Sequence, residues 1–233
     1  MSRLRAVQPV RVRRRTCETE LTATLSLRRE TGDQLVLPNR LLGHLLDHFL
    51  KACGLSLEMV DIRWPGSWQF DHVLCEDVGQ LIGCGIAAIH DQLATTCGTS
   101  GRASAKVCMD EALVESTISF EGRTRCEWIV PEGVCVAGFV DAWYDEGGSM
   151  SGWASGTNLQ QFFDGLATGS RSTVSMEIQR AGNLHHVYEA AFRALGDATG
   201  SALGTGAASS RSAGDTSGLA GKAEYTVERL EAS

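Results

Sequence analysis

Asn183-Leu184-His185-His186-Val187-Tyr188-Glu189 and, far upstream, Asp71-His72-Val73-Leu74-Cys75-Glu76 share one form: a histidine and a glutamate four residues apart at the head of an apolar run. On a helix that spacing puts both side chains on one face, so both reach a single point. His186 stands about 100° further round, turned toward a second point. The run after the first pair repeats Val78, Leu81, Ile82, Ile86 and Ile89 at three- and four-residue steps, a helix from Asp71 to about Leu93. The run after the second reads as a helix from Leu184 to Leu195.

What precedes each pair also repeats. In Thr19 to Leu27, Leu21, Ala23, Leu25 and Leu27 alternate with polar residues, the period of a half-buried strand. Leu41 to Cys53 sets Leu41, Leu42, Leu45, Leu46, Phe49 and Leu50 on one helical face, and Leu55 to Ile62 reads as a short strand. A Gly/Ser/Thr stretch from Thr95 to Ala105 then interrupts the pattern. Beyond it, Leu113 to Phe120 is a strand, Leu159 to Ala167 a helix and Thr173 to Gln179 a strand. Setting Glu18 against Glu111 aligns Thr24-Leu25-Ser26-Leu27 with Thr117-Ile118-Ser119-Phe120.

Each half thus reads strands, helix, strand, helix. The expected fold is α+β with duplicated halves, each a small β-sheet with two helices packed on one face. The expected limits are 1–94 for the first half, 95–108 for a linker, 109–198 for the second half and 199–233 for a mobile C-terminal tail. From Gly196 to Gly221 the chain is rich in Gly, Ala, Ser and Thr and offers little apolar surface to offset ordering entropy.

The chain has 233 residues, 43% of them hydrophobic, enough for one large domain or two small ones with cores of their own. A net charge of −7 argues against a nucleic-acid binder. The one basic run, Arg11 with Arg13, Arg14 and Arg15, reads as a solvated strand or arm, with anion binding as the alternative. None of the eight cysteines forms a C-x-x-C pair, and Cys84, inside Leu81-Ile82-Gly83-Cys84, reads as a small buried hydrophobe. No apolar h-region follows Arg3, Arg5 and Arg11, and no apolar run approaches the roughly 20 residues of a membrane span. A reduced, cytoplasmic protein without membrane contact is expected.

Imidazole with carboxylate suits manganese, iron or zinc. A lone histidine pair is more often structural than a ligand. Two His/Glu pairs at matching places are harder to explain as core packing, because buried carboxylates need partners. His44, in an otherwise apolar helix, is a third contributor, and His48 on the same face competes with it. His90, near a helix end, reads as a cap or surface residue.

At this point the sequence resembles the imidazoleglycerol-phosphate dehydratases. That family carries R-x-T-x-E-T, G-F-L-D-H-M-L, D-D-H-H-T-x-E-D-x-G, P-M-D-E-A-L, S-G-R and N-x-H-H-x-x-E-A-x-F-K. In the same order this chain has Arg14-Arg15-Thr16-Cys17-Glu18-Thr19, Leu41-Leu42-Gly43-His44-Leu45-Leu46 and Asp71-His72-Val73-Leu74-Cys75-Glu76-Asp77-Val78-Gly79. It continues with Cys108-Met109-Asp110-Glu111-Ala112-Leu113, Glu121-Gly122-Arg123 and Asn183 to Arg193, where arginine replaces the family lysine. The resemblance covers roughly residues 3 to 198.

The resemblance implies a hydro-lyase of histidine biosynthesis: a large homo-oligomer whose neighbouring subunits complete sites for paired manganese ions. Its substrate is a small phosphorylated imidazole, which loses water to an enol that becomes imidazole-acetol phosphate. Carried over, His44, His72, Glu76, His185, His186 and Glu189 match metal ligands. Glu18 and Glu189 match active-site carboxylates. Arg123, Arg102 after a one-residue slip, and Lys222 in Ala220-Gly221-Lys222-Ala223 match substrate- and phosphate-binding positions.

Some positions depart from the pattern. Val73 replaces the second histidine of the first H-H pair, Gly43 the aspartate before His44, and Cys108 a proline. The histidine of a later T-L-H strand is missing from Val174-Ser175-Met176-Glu177-Ile178, where Glu177 is the substitute oxygen ligand. Three readings stay open: the orthodox dehydratase, a divergent homologue acting on a different imidazole-bearing or phosphorylated substrate, and a non-catalytic subunit of the same fold.

Overall fold

The computed structural model describes residues 7–27, 37–66, 69–144 and 146–205. Their order is β1 (Val10–Arg15), β2 (Glu20–Ser26), α1 (Arg40–Cys53), β3 (Ser56–Arg63), α2 (Asp71–Thr96), β4 (Arg102–Met109), β5 (Ala112–Ser119), β6 (Arg125–Ile129), β7 (Phe139–Tyr144), β8 (Met150–Ser155), α3 (Gly156–Ser170), β9 (Thr173–Arg180) and α4 (Leu184–Leu203). The duplication is visible in it. The unit β1-β2-α1-β3-α2 returns as β4-β5-α3-β9-α4, with β6, β7 and β8 inserted before α3.

The first sheet runs β1-β2-β3, all antiparallel; the second runs β4-β5-β9-β6, with β6 parallel to β9. β7 and β8 form a separate antiparallel hairpin. Period-two alternation decides which face of each strand is dry. Leu21, Ala23 and Leu25 of β2, Val114 and Ile118 of β5, and Val174, Met176 and Ile178 of β9 are all buried. The helices meet these faces: α2 lies on β1 and β2, α4 on β4 and β5, α2 runs along α3 and α1 along α4. One continuous core results, centred on Phe162, Phe163 and Phe192, whose ring centroids lie 4.8 to 5.5 Å apart.

Glycine sets the closest helix contact. Gly79 and Gly83 on α2 face Gly165 and Gly169 on α3, each pair four residues apart and so on one side of its helix. A Cβ at Gly79 would lie 2.2 Å from the Phe162 carbonyl oxygen, and one at Gly165 would lie 2.2 Å from that of Glu76. Only glycine lets the two backbones touch there. At the helix ends, the Asn39 side chain accepts from the Leu42 N–H and Asn183 from that of His185, while α1 and α4 stop at the left-handed glycines Gly54 and Gly204.

Three expectations need correction. The stretch 95–108 is not a linker: it holds the end of α2 and nearly all of β4, where Ala103, Ala105 and Val107 alternate with polar residues and pair along β5. Small residues hid this strand. Residues 199–203 are not tail, because α4 continues to Leu203 and Gly196 packs against the Phe49 carbonyl and the Ala52 methyl group. Residues 206–233, Lys222 among them, lie outside the described residues. Cys84 is exposed, whereas Cys53 and Cys75 are buried, because α2 turns position 84 outward between its two packed faces. By length and composition alone α2 could cross a membrane. Its apolar surface is spent on β1, β2 and α3, which makes it a core helix.

Candidate metal centre

α1 and α4 lie side by side, so His44 and His48 of α1 confront the first turns of α4. Their imidazoles and that of His185 converge on one oxygen, Glu189 Oε1, with the Nε2 atoms of His44, His48 and His185 at 2.7, 3.1 and 3.5 Å. Glu189 is buried. Burial pushes its carboxyl up, but the hydrogen bonds from His185, His44 and His48 outweigh this and hold it well below the usual carboxylate range. The carboxylate therefore stays charged.

The histidines at the head of α4 are each held from behind. His185 Nδ1 lies 2.9 Å from Asp141 Oδ2 on β7. A carboxylate only accepts, so Nδ1–H donates and the Nε2 lone pair faces Glu189. Two facing acceptors call for a proton or a cation between them. With a proton there, the hydrogen bond to Glu189 raises His185 above the ordinary imidazole range, against burial and with help from Asp141. His186 repeats the arrangement on the other side of the helix: its Nδ1 lies 3.1 Å from Glu111 Oε2, and its Nε2 lies 3.6 Å from Asp110 Oδ2. Glu111 also accepts the Asn183 backbone N–H at 2.6 Å, which, with bonding at its own backbone and to His186, holds its carboxyl down at about 2.

Among the described residues, two groups thus gather donor atoms within 4.8 Å of one another: His44, His48 and Glu189, and Asp110, Glu111 and His186. Imidazole nitrogen with carboxylate oxygen is the donor set of a borderline divalent transition metal, and a carboxylate behind the histidine is the usual support of such a ligand. The residues fit a cation.

A family model described as imidazoleglycerol-phosphate dehydratase matches residues 38–199. Enzymes of that name from Anaeromyxobacter sp. (strain K) and Thermus thermophilus are each 32% identical to this chain. The first match covers 78% of this chain and 79% of the relative, the second 79% and 86%. The chain belongs to the imidazoleglycerol-phosphate dehydratase family. Among solved structures, the dehydratase of Pyrococcus furiosus superposes with a TM-score of 0.59 at 25% identity, over 82% of this chain and 92% of its own. The dehydratase of Staphylococcus aureus gives 0.59 at 22% identity, over 83% and 98%, and shows the shared fold.

The other positions that match dehydratase motifs are dispersed in this fold. His72 and Glu76 lie in the first two turns of α2, equivalent to His185 and Glu189, but α2 lies beside α3 whereas α4 lies beside α1. Among the described residues, no candidate metal group includes either of them. His72 is exposed beside the Phe70 ring, Glu76 accepts from Gln80 Nε2 at 2.8 Å, and Val73 is buried in the core. Glu177 is not brought to the histidines. It alternates with buried Met176 and Ile178, so it stands on the outer face of the second sheet, where Gln179 Nε2 bonds it at 3.4 Å and Glu115 at 3.1 Å.

Glu18 is exposed in the β1–β2 turn, where its N–H donates to Thr16 Oγ1 at 3.1 Å. The same motif supplies a buried anchor: the Thr19 hydroxyl donates to Asp77, which ion-pairs with Arg14 at 2.8 Å. Arg102 and Arg123 sit at the far end. Gly101 N–H bonds the Ala202 carbonyl near the end of α4, and Phe120 N–H bonds that of Gly101. Along α4 from His186 to Ala202 that is a distance of roughly 25 Å. Sequence reasoning gave no role to Asp141, Glu111 or Arg193. Glu111 and Arg193 lay within quoted motifs, whereas Asp141 sits in an inserted hairpin that no periodic signal links to α4.

Proposed function

We propose that this chain removes water from imidazoleglycerol phosphate to give imidazole-acetol phosphate, as a metal-dependent hydro-lyase of histidine biosynthesis. The observation that carries this reading is the pair of α4 histidines, each backed by a carboxylate so that Nε2 is left as a ligand atom. His44, His185 and Glu189 would hold one manganese ion, and His186 would contribute to a second. A bound divalent cation acidifies the substrate imidazole and stabilises the anion that develops during elimination. Asp141 and Glu111 fix the ring orientations, and Glu189 remains anionic through its hydrogen bonds. Glu18 moves the proton, and the guanidinium forks of Arg102 and Arg123 hold the phosphate.

The two arginines cannot serve His185 of the same chain across about 25 Å of helix. The site is therefore shared, with a second copy bringing Glu18, the arginines or the His72/Glu76 pair, and the working form is a homo-oligomer. The eight cysteines, all free, support a reducing, cytoplasmic setting. Metal content per chain measured alongside turnover of imidazoleglycerol phosphate tests the reading. Bound manganese with turnover supports it, and neither metal nor turnover overturns it.

Val73 and Glu177 favour a second reading, a divergent homologue acting on another imidazole-bearing substrate. One is buried and apolar where the family has a histidine, and the other is turned away from the site. Turnover gained by Val73→His in an inactive, manganese-binding wild type would select this reading over the first.

A further inference from the structure

His48 resembles a ligand by position, being buried on the same face of α1 as His44 with its Nε2 near Glu189. Its other ring nitrogen says otherwise. Arg193 Nε, from the next turns of α4, lies 3.2 Å from His48 Nδ1. A guanidinium N–H can only donate, so Nδ1 must present its lone pair and the ring proton sits on Nε2. That Nε2–H then points at Glu189 Oε1, 3.1 Å away. Both nitrogens are committed, one as acceptor and one as donor, and neither is left for a cation. His44 stands differently: its Nε2 is the closest of the three imidazole nitrogens to Glu189, at 2.7 Å.

We infer that His48 is a positioning residue, locked by Arg193 in the Nε2–H form, which holds Glu189 in place by a buried hydrogen bond and does not itself bind the metal. The relay runs from Arg193 Nε–H to His48 Nδ1 and from His48 Nε2–H to Glu189 Oε1. It explains why a carboxylate buried among imidazoles keeps one orientation: a directed donor fixes Oε1, the oxygen that His44 and His185 also face. The inference rests on the metal reading of the site only for its consequence; the ring's proton position is a property of the metal-free chain.

The test has two arms. In the first, long-range proton–nitrogen correlation spectra of the metal-free, nitrogen-15-labelled protein report which ring nitrogen of His48 carries the proton, its signals assigned by their loss in His48→Gln. Protonation at Nε2, shifted or averaged between the nitrogens in Arg193→Leu, is the expected result. A proton at Nδ1, or at both nitrogens, overturns the inference.

In the second arm, manganese affinity is measured for His48→Gln and His48→Leu. Glutamine can accept from Arg193 through its carbonyl and donate to Glu189 through its amide, whereas leucine can do neither. His48→Leu is expected to bind manganese about tenfold more weakly or worse, and His48→Gln to recover most of the loss. Equal loss in both variants marks His48 as a ligand, and no loss in either marks it as packing; each overturns the inference. A wild type that takes up no manganese removes the metal reading, while the spectra still decide the relay.

Discussion

At the residue scale, the site depends on hydrogen bonds that fix which nitrogen of each imidazole is free. Asp141 is the clearest case, since it holds His185 Nδ1 and comes from the hairpin rather than from a helix. Asp141→Ala is expected to weaken manganese binding about tenfold while the fold persists, because His185 loses its orienting partner. Titration of the metal-free variant followed by calorimetry checks this, and an unchanged affinity would remove Asp141 from the site. The cysteines supply a second residue-scale test. Burial, with Asp164 beside it, pushes the Cys126 thiol up to about 12, and burial likewise raises Cys75. A raised thiol is protonated, and so unreactive, at every pH below its shifted value. Iodoacetamide at pH 8 is expected to modify exposed Cys17, Cys97, Cys108 and Cys135 and to spare Cys53, Cys75 and Cys126, as read by peptide mass spectrometry.

At the scale of elements, the helix pair α2 and α3 shows how packing overrides propensity. In an exposed helix, glycine to alanine is stabilising by up to about 1 kcal/mol. At Gly79 the added methyl group would meet the Phe162 carbonyl at 2.2 Å, and both partners are backbone. Gly79→Ala is therefore expected to destabilise the protein by about 1–3 kcal/mol, seen as a lowered thermal midpoint. Gly165→Ala, which meets the Glu76 carbonyl, behaves the same way. A raised midpoint in either variant would mean that the helices do not touch as described. The strand β4 is the opposite case: Ala103, Ala105 and Val107 alternate correctly but carry too little apolar bulk to stand out from a Gly/Ser/Thr stretch. Pairing along the whole of β5 makes it a strand.

At the scale of the whole molecule, the four helices lie between two sheets, and the groups that match dehydratase motifs fall at separate ends and sides of that layer. His185 and Glu189 face α1 at one end, whereas Arg102 and Arg123 lie near the C-terminal end of α4. A site shared between copies predicts complementation. His185→Ala and Arg123→Ala are each expected to abolish turnover alone, and mixed assemblies from co-expression to recover part of it. Absence of any recovery, with mixed assembly shown by mass, would place the whole site in one chain and refute the shared arrangement.

The sequence by itself determined what is local. Apolar spacing marked three of the helices and the buried strands to within a few residues, and helix geometry alone put His185 and Glu189 on one face and the His72/Glu76 pair at the equivalent helix head. It also showed the duplication, because each half must repeat the same hydrophobic periods to build the same layers. Tertiary structure decided everything that depends on distant chain meeting chain. His44 and Glu189 are separated by 145 residues, and Asp141 and His185 by 44. No spacing rule spans such gaps, since their approach is set by how closely whole helices pack. The glycine contacts of α2 with α3 and of Gly196 with α1 set that approach here. The same packing separated the roles of His44 and His48, which sequence left in competition, and the pleat of β9 turned Glu177 away, because a strand sends successive side chains to opposite faces.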